Sequence, residues 1–374
     1  MKRISTSCKA AKPTLALALA IALCLPLAGC GAAKAADTAP ETEKPAATAS
    51  PEAMEKHQTQ VFAMDTVMIL TAYGAYADEA LDAAAERLYA LEADLDPGNE
   101  TGSVYAANAG AGGQVVVSED SFQVMTTAMR YWRLSGGALD PGLYPLSKAW
   151  GFIGGDYRVP KAEEIATLLA VKDTGGVRLD EAATAVAVPA GTEVSFGAVA
   201  KGYAAQAVVD LMADMGVTSA ILSLGGNVQT LGETKPDGSR WQVAVTDPYD
   251  TGAYAGILTV GQAAVVTSGG YQRFFEEDGV TYIHILDPET GYPVDNDLLS
   301  VTVVTADGTA ADALSTTLFV MGAERALRFY EEQGDFELVL ITKDDEIIVT
   351  PGLADSFTET EPDLFTYTYY EPGG

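Results

Sequence analysis

Two hydrophobic rhythms run along the chain. From Ala77 to Leu95, apolar residues recur at Leu81, Ala84, Leu88, Leu91 and Leu95, and this three-and-four spacing predicts a helix with one buried face. Pro97-Gly98-Asn99 ends it. A short strand, Val115–Val117, leads to Ser118, a suitable N-cap for a second helix carrying Phe122, Met125, Met129 and Trp132 and closed by Gly136. Lys161–Ala170, Gly202–Met215 and Ala311–Glu331 read as further helices. The period-two, β-branched runs read as strands. They are one long strand over Val61–Tyr73, then Ala185–Val188, Ala220–Leu224, Trp241–Val245, Ile257–Val260, Ala263–Thr267, Thr281–Leu286, Leu299–Val304, Glu337–Thr342 and Glu346–Thr350. Helices and strands mix without a regular βαβ alternation, which predicts an α+β fold.

The ends follow other rules. Lys2, Arg3, Lys9 and Lys12 make a positive region before an apolar stretch, Thr14–Ala28, interrupted only by Pro26 and ending in Leu27-Ala28-Gly29-Cys30. That is the layout of a secretory signal peptide over residues 1–29, with Cys30 as the lipidated first residue of the mature chain. The stretch is short for a spanning helix, which needs about 20 residues. Residues 30–58, rich in Ala, Thr, Pro, Glu and Lys, read as a flexible tether, with His57 held by little at its end. Residues 59–358 suit one large domain or two intimate lobes, and 359–374 read as a surface tail. The expected location is extracytoplasmic, lipid-anchored to the cell membrane.

Composition narrows the chemistry. The cysteines are Cys8, Cys24 and Cys30, so the folded part has no disulfide, thiolate nucleophile or cysteine metal site. The net charge is −30; residues 1–29 hold four positive and no negative residues, so the remainder carries −34. Such acidity repels nucleic acid, and membrane attachment then falls to the lipid.

Candidate reactive groups are few. His284 is one of two histidines and sits where a strand enters the turn Leu286-Asp287-Pro288. A Ser-His-Asp hydrolase is disfavoured because no G-x-S-x-G elbow exists. Asp312 and Thr316 are four apart on a predicted helix, with Ser315 beside them. Three oxygen side chains on one face suit a hard cation such as Mg²⁺ with substrate phosphate; a plain acidic first helical turn has the same look. Ser195-Phe196-Gly197-Ala198-Val199-Ala200-Lys201-Gly202 enters another helix, where small residues permit close approach and Lys201 can meet phosphate. It lacks the spacing of a P-loop.

In order along the chain, Met64-Asp65-Thr66, Ser135-Gly136-Gly137-Ala138-Leu139-Asp140-Pro141, Ala198-Val199-Ala200-Lys201-Gly202-Tyr203, Leu224-Gly225-Gly226-Asn227, Thr267-Ser268-Gly269-Gly270-Tyr271, the stretch His284 to Pro293 and Asp312-Ala313-Leu314-Ser315-Thr316 resemble the ApbE-type FAD:protein FMN transferases. The resemblance implies a T-fold-like α+β domain with mainly antiparallel sheets and packed helices. It implies FAD as substrate, lined by Met64, Ala138, Leu139, Asp140, Ser195, Lys201 and Leu286. Mg²⁺ would be held by the Ala198 carbonyl, Asp312 and Thr316 with Ser315 adjacent, and His284 and Asp312 would be catalytic. The acceptor would be a protein with a Ser/Thr-Gly-Ala-Thr/Ser segment, such as a subunit of a membrane redox complex or an extracytoplasmic flavoprotein. The chain departs from the family's usual pattern at Ser195-Phe196-Gly197, where Asp-Leu-Gly is usual, and at Gly98 to Gly102 on the flavin rim. Two other readings share these residues: a Mg²⁺-dependent FAD pyrophosphatase and a flavin-binding lipoprotein without turnover.

Overall fold

The structure, a computed structural model, describes residues 54–110 and 112–373. The predicted signal peptide, Cys30 and most of the tether lie outside the described residues. Nine strands build the main sheet: β1 Lys56–Ala63, β2 Thr66–Tyr73, β3 Ala220–Leu224, β4 Asn227–Leu231, β5 Ala264–Gly269, β6 Leu298–Thr305, β7 Glu337–Thr342, β8 Glu346–Val349 and β9 Thr366–Tyr369. They stand side by side in the order in which the chain supplies them. Neighbours are antiparallel as far as β8, and β9 lies parallel to it. The α+β expectation holds.

Alternation within strands sorts side chains to two faces. In β7, Leu338 and Leu340 join a core with helices α1 Ala77–Leu95, α2 Glu119–Leu134, α3 Ala200–Asp214, α4 Gly308–Met321 and α5 Ala323–Gln333. Val339 and Ile341 point the other way, toward a small sheet of Trp241–Thr246, Tyr254–Val260 and Phe357–Glu359. Trp241 is fully buried in that second layer and donates its Nε1–H to Gly232 O at 2.8 Å. Burying so large a side chain contributes about 2–3 kcal/mol, and the hydrogen bond removes the cost of its one polar atom. A third apolar cluster, of Leu146, Trp150, Phe152, Ile165 and Leu286, stands apart from both. No helix among the described residues is long and apolar enough to cross a membrane.

Several sequence expectations change. The single strand over Val61–Tyr73 is a hairpin, turned at Met64 (φ 50°) and Asp65 (φ 60°). Two successive left-handed residues match the right-handed twist of paired strands, and the Met64 N–H is held by Glu92 Oε1 at 2.6 Å. A strand begins at Lys56, inside the stretch read as tether, and His57 is paired with Ala72 with its Nδ1 2.6 Å from Asp78. The helix over Ala311–Glu331 starts earlier, at Gly308, and divides at Gly322, whose φ of 79° ends α4. The expected surface tail contains β9, and Phe365 before it is buried. The strand over Thr281–Leu286 ends at Ile283, with Leu286 in a lone bridge to Pro293. A helix over Ser103–Ala109 had no clear apolar rhythm and was not expected.

Candidate functional site

A cleft of about 490 Å³ opens where the β1–β2 turn, the β3–β4 turn, the start of α3 and the middle of α4 meet. Met64, Ala138, Leu139, Asp140, Ser195, Ala198, Lys201, His284, Leu286, Asp312 and Thr316 all line it. Residues from 64 to 316 are thus brought to one place by the sheet order.

Asp312 sits in the second turn of α4, not at its start; Asp307 caps that helix by accepting from Thr309 N and Ala310 N. The Asp312 carboxylate instead reaches the first turn of α3, where Oδ2 accepts the Gly202 N–H at 2.8 Å. Gly202 lies in the first turn of α3, where backbone N–H groups have no partner within the helix, and Asp312 satisfies this one. Ala198, two residues before α3, lines the cleft. Gly202 is required here because a Cβ would stand 2.2 Å from Gly308 O and 2.5 Å from Asp312 Cβ. The two helices therefore touch through backbone, and this contact brings Ala198, Asp312 and Thr316 together.

Ser315 is placed differently from the expectation. Its hydroxyl is fully buried, shares a hydrogen bond with Ser268 Oγ at 2.9 Å and donates to Asp312 O at 3.0 Å. It does not line the cleft. Ser268, which does, also lies 3.3 Å from Thr316 Oγ1. A residue three positions from Asp312 falls on the flank that packs against β5, whereas one four positions away stays on the open face.

The donors fit a hard cation. They are a carbonyl, a carboxylate with one oxygen engaged by Gly202, and a hydroxyl. No group of three or more His, Cys, Asp or Glu gathers among the described residues. Mg²⁺ takes few protein oxygens of this kind and completes its shell with water and substrate phosphate.

His284 lines the same cleft. Its backbone N–H and its Nδ1 both lie 3.1 Å from Arg273 O. A carbonyl only accepts, so Nδ1 carries the proton and Nε2 keeps a free lone pair. Burial pushes the imidazole pKa down to about 4, with the Lys201 ammonium and the Arg273 guanidinium adding to the effect. The ring is neutral at physiological pH.

Some expected residues position the cleft walls. The Asp140 carboxylate is nearly saturated: it accepts from Gly142 N at 2.8 Å, Thr174 Oγ1 at 2.6 Å and Lys172 Nζ at 2.6 Å. Lys172 also reaches Pro288 O at 2.9 Å, tying this wall to the segment after Leu286. Ser195 N–H donates to Pro141 O at 2.9 Å, and Asn108 clamps both backbone groups of Val194. The loop before α3 is thus fixed to the Ala138–Pro141 wall. Beyond that wall a smaller cavity of about 360 Å³ is lined by Trp132, Lys172 and Arg325 and shares Ala138, Asp140 and Val320 with the cleft.

Arg273 was not expected. It lies in the cleft, 3.8 Å from Asp65 Oδ2, and donates to Phe152 O. Its only sequence signal is a positive charge just after Thr267–Tyr271. Glu92, Asn227 and Ser268 also line the cleft without having been singled out individually for it.

The profile of the ApbE family matches residues 64–340. The chain belongs to the ApbE family. Among curated proteins it is 38% identical over 240 residues to an FAD:protein FMN transferase of Klebsiella pneumoniae, covering 63% of this chain and 73% of that one. It is 33% identical over 293 residues to one of Treponema pallidum, covering 73% and 81%. Among solved structures, the ApbE protein of Thermotoga maritima superposes with a TM-score of 0.72 at 28% identity, over 83% of this chain and 98% of that one. The flavin transferase ApbE of Vibrio cholerae gives 0.70 at 26%, over 82% and 97%. The matched span of the ApbE profile takes in every cleft residue named above.

Proposed function

We propose that this ApbE-family chain is an FAD:protein FMN transferase: it moves FMN from FAD to a Ser or Thr hydroxyl of another protein and releases AMP. The observation that carries the reading is the meeting of the Ala198 carbonyl, Asp312 and Thr316 with Lys201, Arg273 and a neutral His284 in one cleft. That combination suits a pyrophosphate and a nucleophilic hydroxyl, and the named relatives carry the same activity.

Mg²⁺ bound by Ala198, Asp312 and Thr316 would neutralise charge developing on the phosphate oxygens. Lys201 and Arg273 add fixed positive charge beside the same oxygens. The Nε2 of His284 takes the proton of the attacking hydroxyl, a contribution of roughly 10²–10⁴ in rate. The new bond joins the acceptor oxygen to the FMN phosphorus; the bond from that phosphorus to the bridging oxygen breaks, and AMP leaves with that oxygen. Met64, the Ala138–Asp140 wall, Ser195 and Leu286 border the remainder of the FAD.

The acceptor segment belongs to the same proposal: Ser/Thr-Gly-Ala-Thr/Ser on an extracytoplasmic protein. So does the location, with Cys30 carrying the lipid anchor and residues 1–29 removed. These rest on the N-terminal pattern and the resemblance. The test is incubation with FAD and a motif-bearing protein, with and without Mg²⁺, followed by AMP assay and acceptor mass. AMP formed at an equal rate without acceptor labelling would make the chain a pyrophosphatase; FAD bound without AMP would make it a carrier.

A further inference from the structure

The β1–β2 hairpin bears apolar side chains that neither the core nor the cleft uses. Phe62 and Val67 are cross-strand partners, and Ile69, opposite Gln60, lies one step along on the same face. Their exposures are 64%, 56% and 37%. The small sheet that covers this side elsewhere packs against Tyr73, Ile221 and Val228 and stops short of them. Contiguous apolar side chains on an open sheet face mark an interaction surface.

The place of this patch identifies its occupant. The turn of the same hairpin, Met64 and Asp65, lines the cleft together with Thr66. Arg273 spans from Asp65 to the carbonyl of Phe152, and the next residue, Ile153, is both 40% exposed and part of the cleft wall. The patch therefore borders the cleft mouth within two residues. Residues 31–53, the stretch next to β1 in sequence, contain no Val, Leu, Ile, Met or aromatic residue to set against it. That segment also joins β1 at its start, six residues or about 20 Å from Phe62. Lys56, where β1 begins, is at the opposite end of the strand from the mouth-side residues.

We propose that the acceptor protein docks on this face, setting an apolar surface against Phe62, Val67 and Ile69 while its Ser/Thr segment enters the cleft. The inference rests on the transferase reading. A hydroxyl carried by a folded protein cannot reach the cleft without the body of that protein meeting the mouth. An apolar seat there works for partners of either charge, which matters for a chain as acidic as this one.

The experiment uses the full chain and its Phe62→Ser/Val67→Thr variant. The acceptors are a folded flavoprotein domain bearing a Ser/Thr-Gly-Ala-Thr/Ser segment and a synthetic peptide with that same segment. The KM for the folded domain is expected to rise by about tenfold or more, equivalent to about 1.4 kcal/mol. The KM for FAD and transfer to the peptide should stay unchanged. Both sites are exposed, so the melting temperature should hold; Val67→Thr alone is the milder control. An unchanged KM for the folded domain overturns the proposal. So does a loss restricted to self-association by light scattering, or to binding of anionic vesicles. An unaltered chain that labels neither acceptor refutes the transferase reading itself, a separate and recognisable failure.

Discussion

Asp312 does two jobs at one position. One oxygen caps the α3 N-terminus through Gly202, and the carboxylate charge faces the cleft beside Thr316 and the Ala198 carbonyl. The isosteric change Asp312→Asn keeps an oxygen for Gly202 but removes the charge. Transfer activity should fall by about 10² or more, as for loss of a charge-stabilising group in phosphoryl chemistry, with little change in melting temperature. Asp312→Ala should lose both activity and stability. An active Asp312→Ala enzyme would contradict the proposed role of Asp312 as a Mg²⁺ ligand. His284 makes a pH prediction. Its pKa in the free protein is lowered to about 4, and kcat/KM reports the free enzyme. The rate should therefore stay level as pH falls through the ordinary imidazole value of about 6.5 and decline only near 4. The unfolded chain binds the proton first, so folding stability is full above the ordinary imidazole value and diminishes as pH falls toward 4. In His284→Gln the acidic limb should vanish along with most activity; an unchanged limb places the base elsewhere. Asp312 and Thr316 were legible because four residues make one helical face. Ser315 was misplaced because sequence spacing does not say which flank of α4 meets β5, and Arg273 was missed because a single charge after a turn has no distinguishing pattern.

The site is made at contacts between element ends. The α3–α4 approach depends on Gly202, and Gly202→Ala would put a Cβ 2.2 Å from Gly308 O. Overpacking of this kind costs about 1–3 kcal/mol. Urea unfolding should show that loss, and FAD affinity should weaken as Asp312 and Ala198 separate; wild-type stability would contradict the close contact. Long amphipathic elements such as α1 and α2 were readable because their apolar faces repeat. The β1–β2 hairpin was not, because its turn is Met64-Asp65 and lacks the glycine that usually announces two left-handed residues. The same holds for Gly322, whose role as a break within a continuous apolar run appears only with its φ of 79°.

At the scale of the molecule, a meandering sheet carries helices on one face and a small sheet on the other, and the cleft gathers at the turns. The C-terminal residues belong to that frame. β9 pairs with β8, Phe365 is 3% exposed, and Tyr367 donates its hydroxyl to Ala255 O at 2.7 Å. Removing residues 360–374 should cost at least about 3 kcal/mol, the usual loss on deleting a buried phenylalanine. A surface tail would cost nothing, and calorimetry separates the two. The Thr/Tyr/Pro composition hid this strand, because its stability comes from a partner strand and not from its own pattern. Whether the chain moves FMN onto a protein is decided by the mass of an acceptor. The full chain is incubated with FAD, Mg²⁺ and a protein displaying a Ser-Gly-Ala-Thr segment, and the intact mass of that protein is read. The expected result is a gain of one FMN that disappears when Mg²⁺ is withheld. An acceptor of unchanged mass, with AMP accumulating or FAD intact, would contradict it.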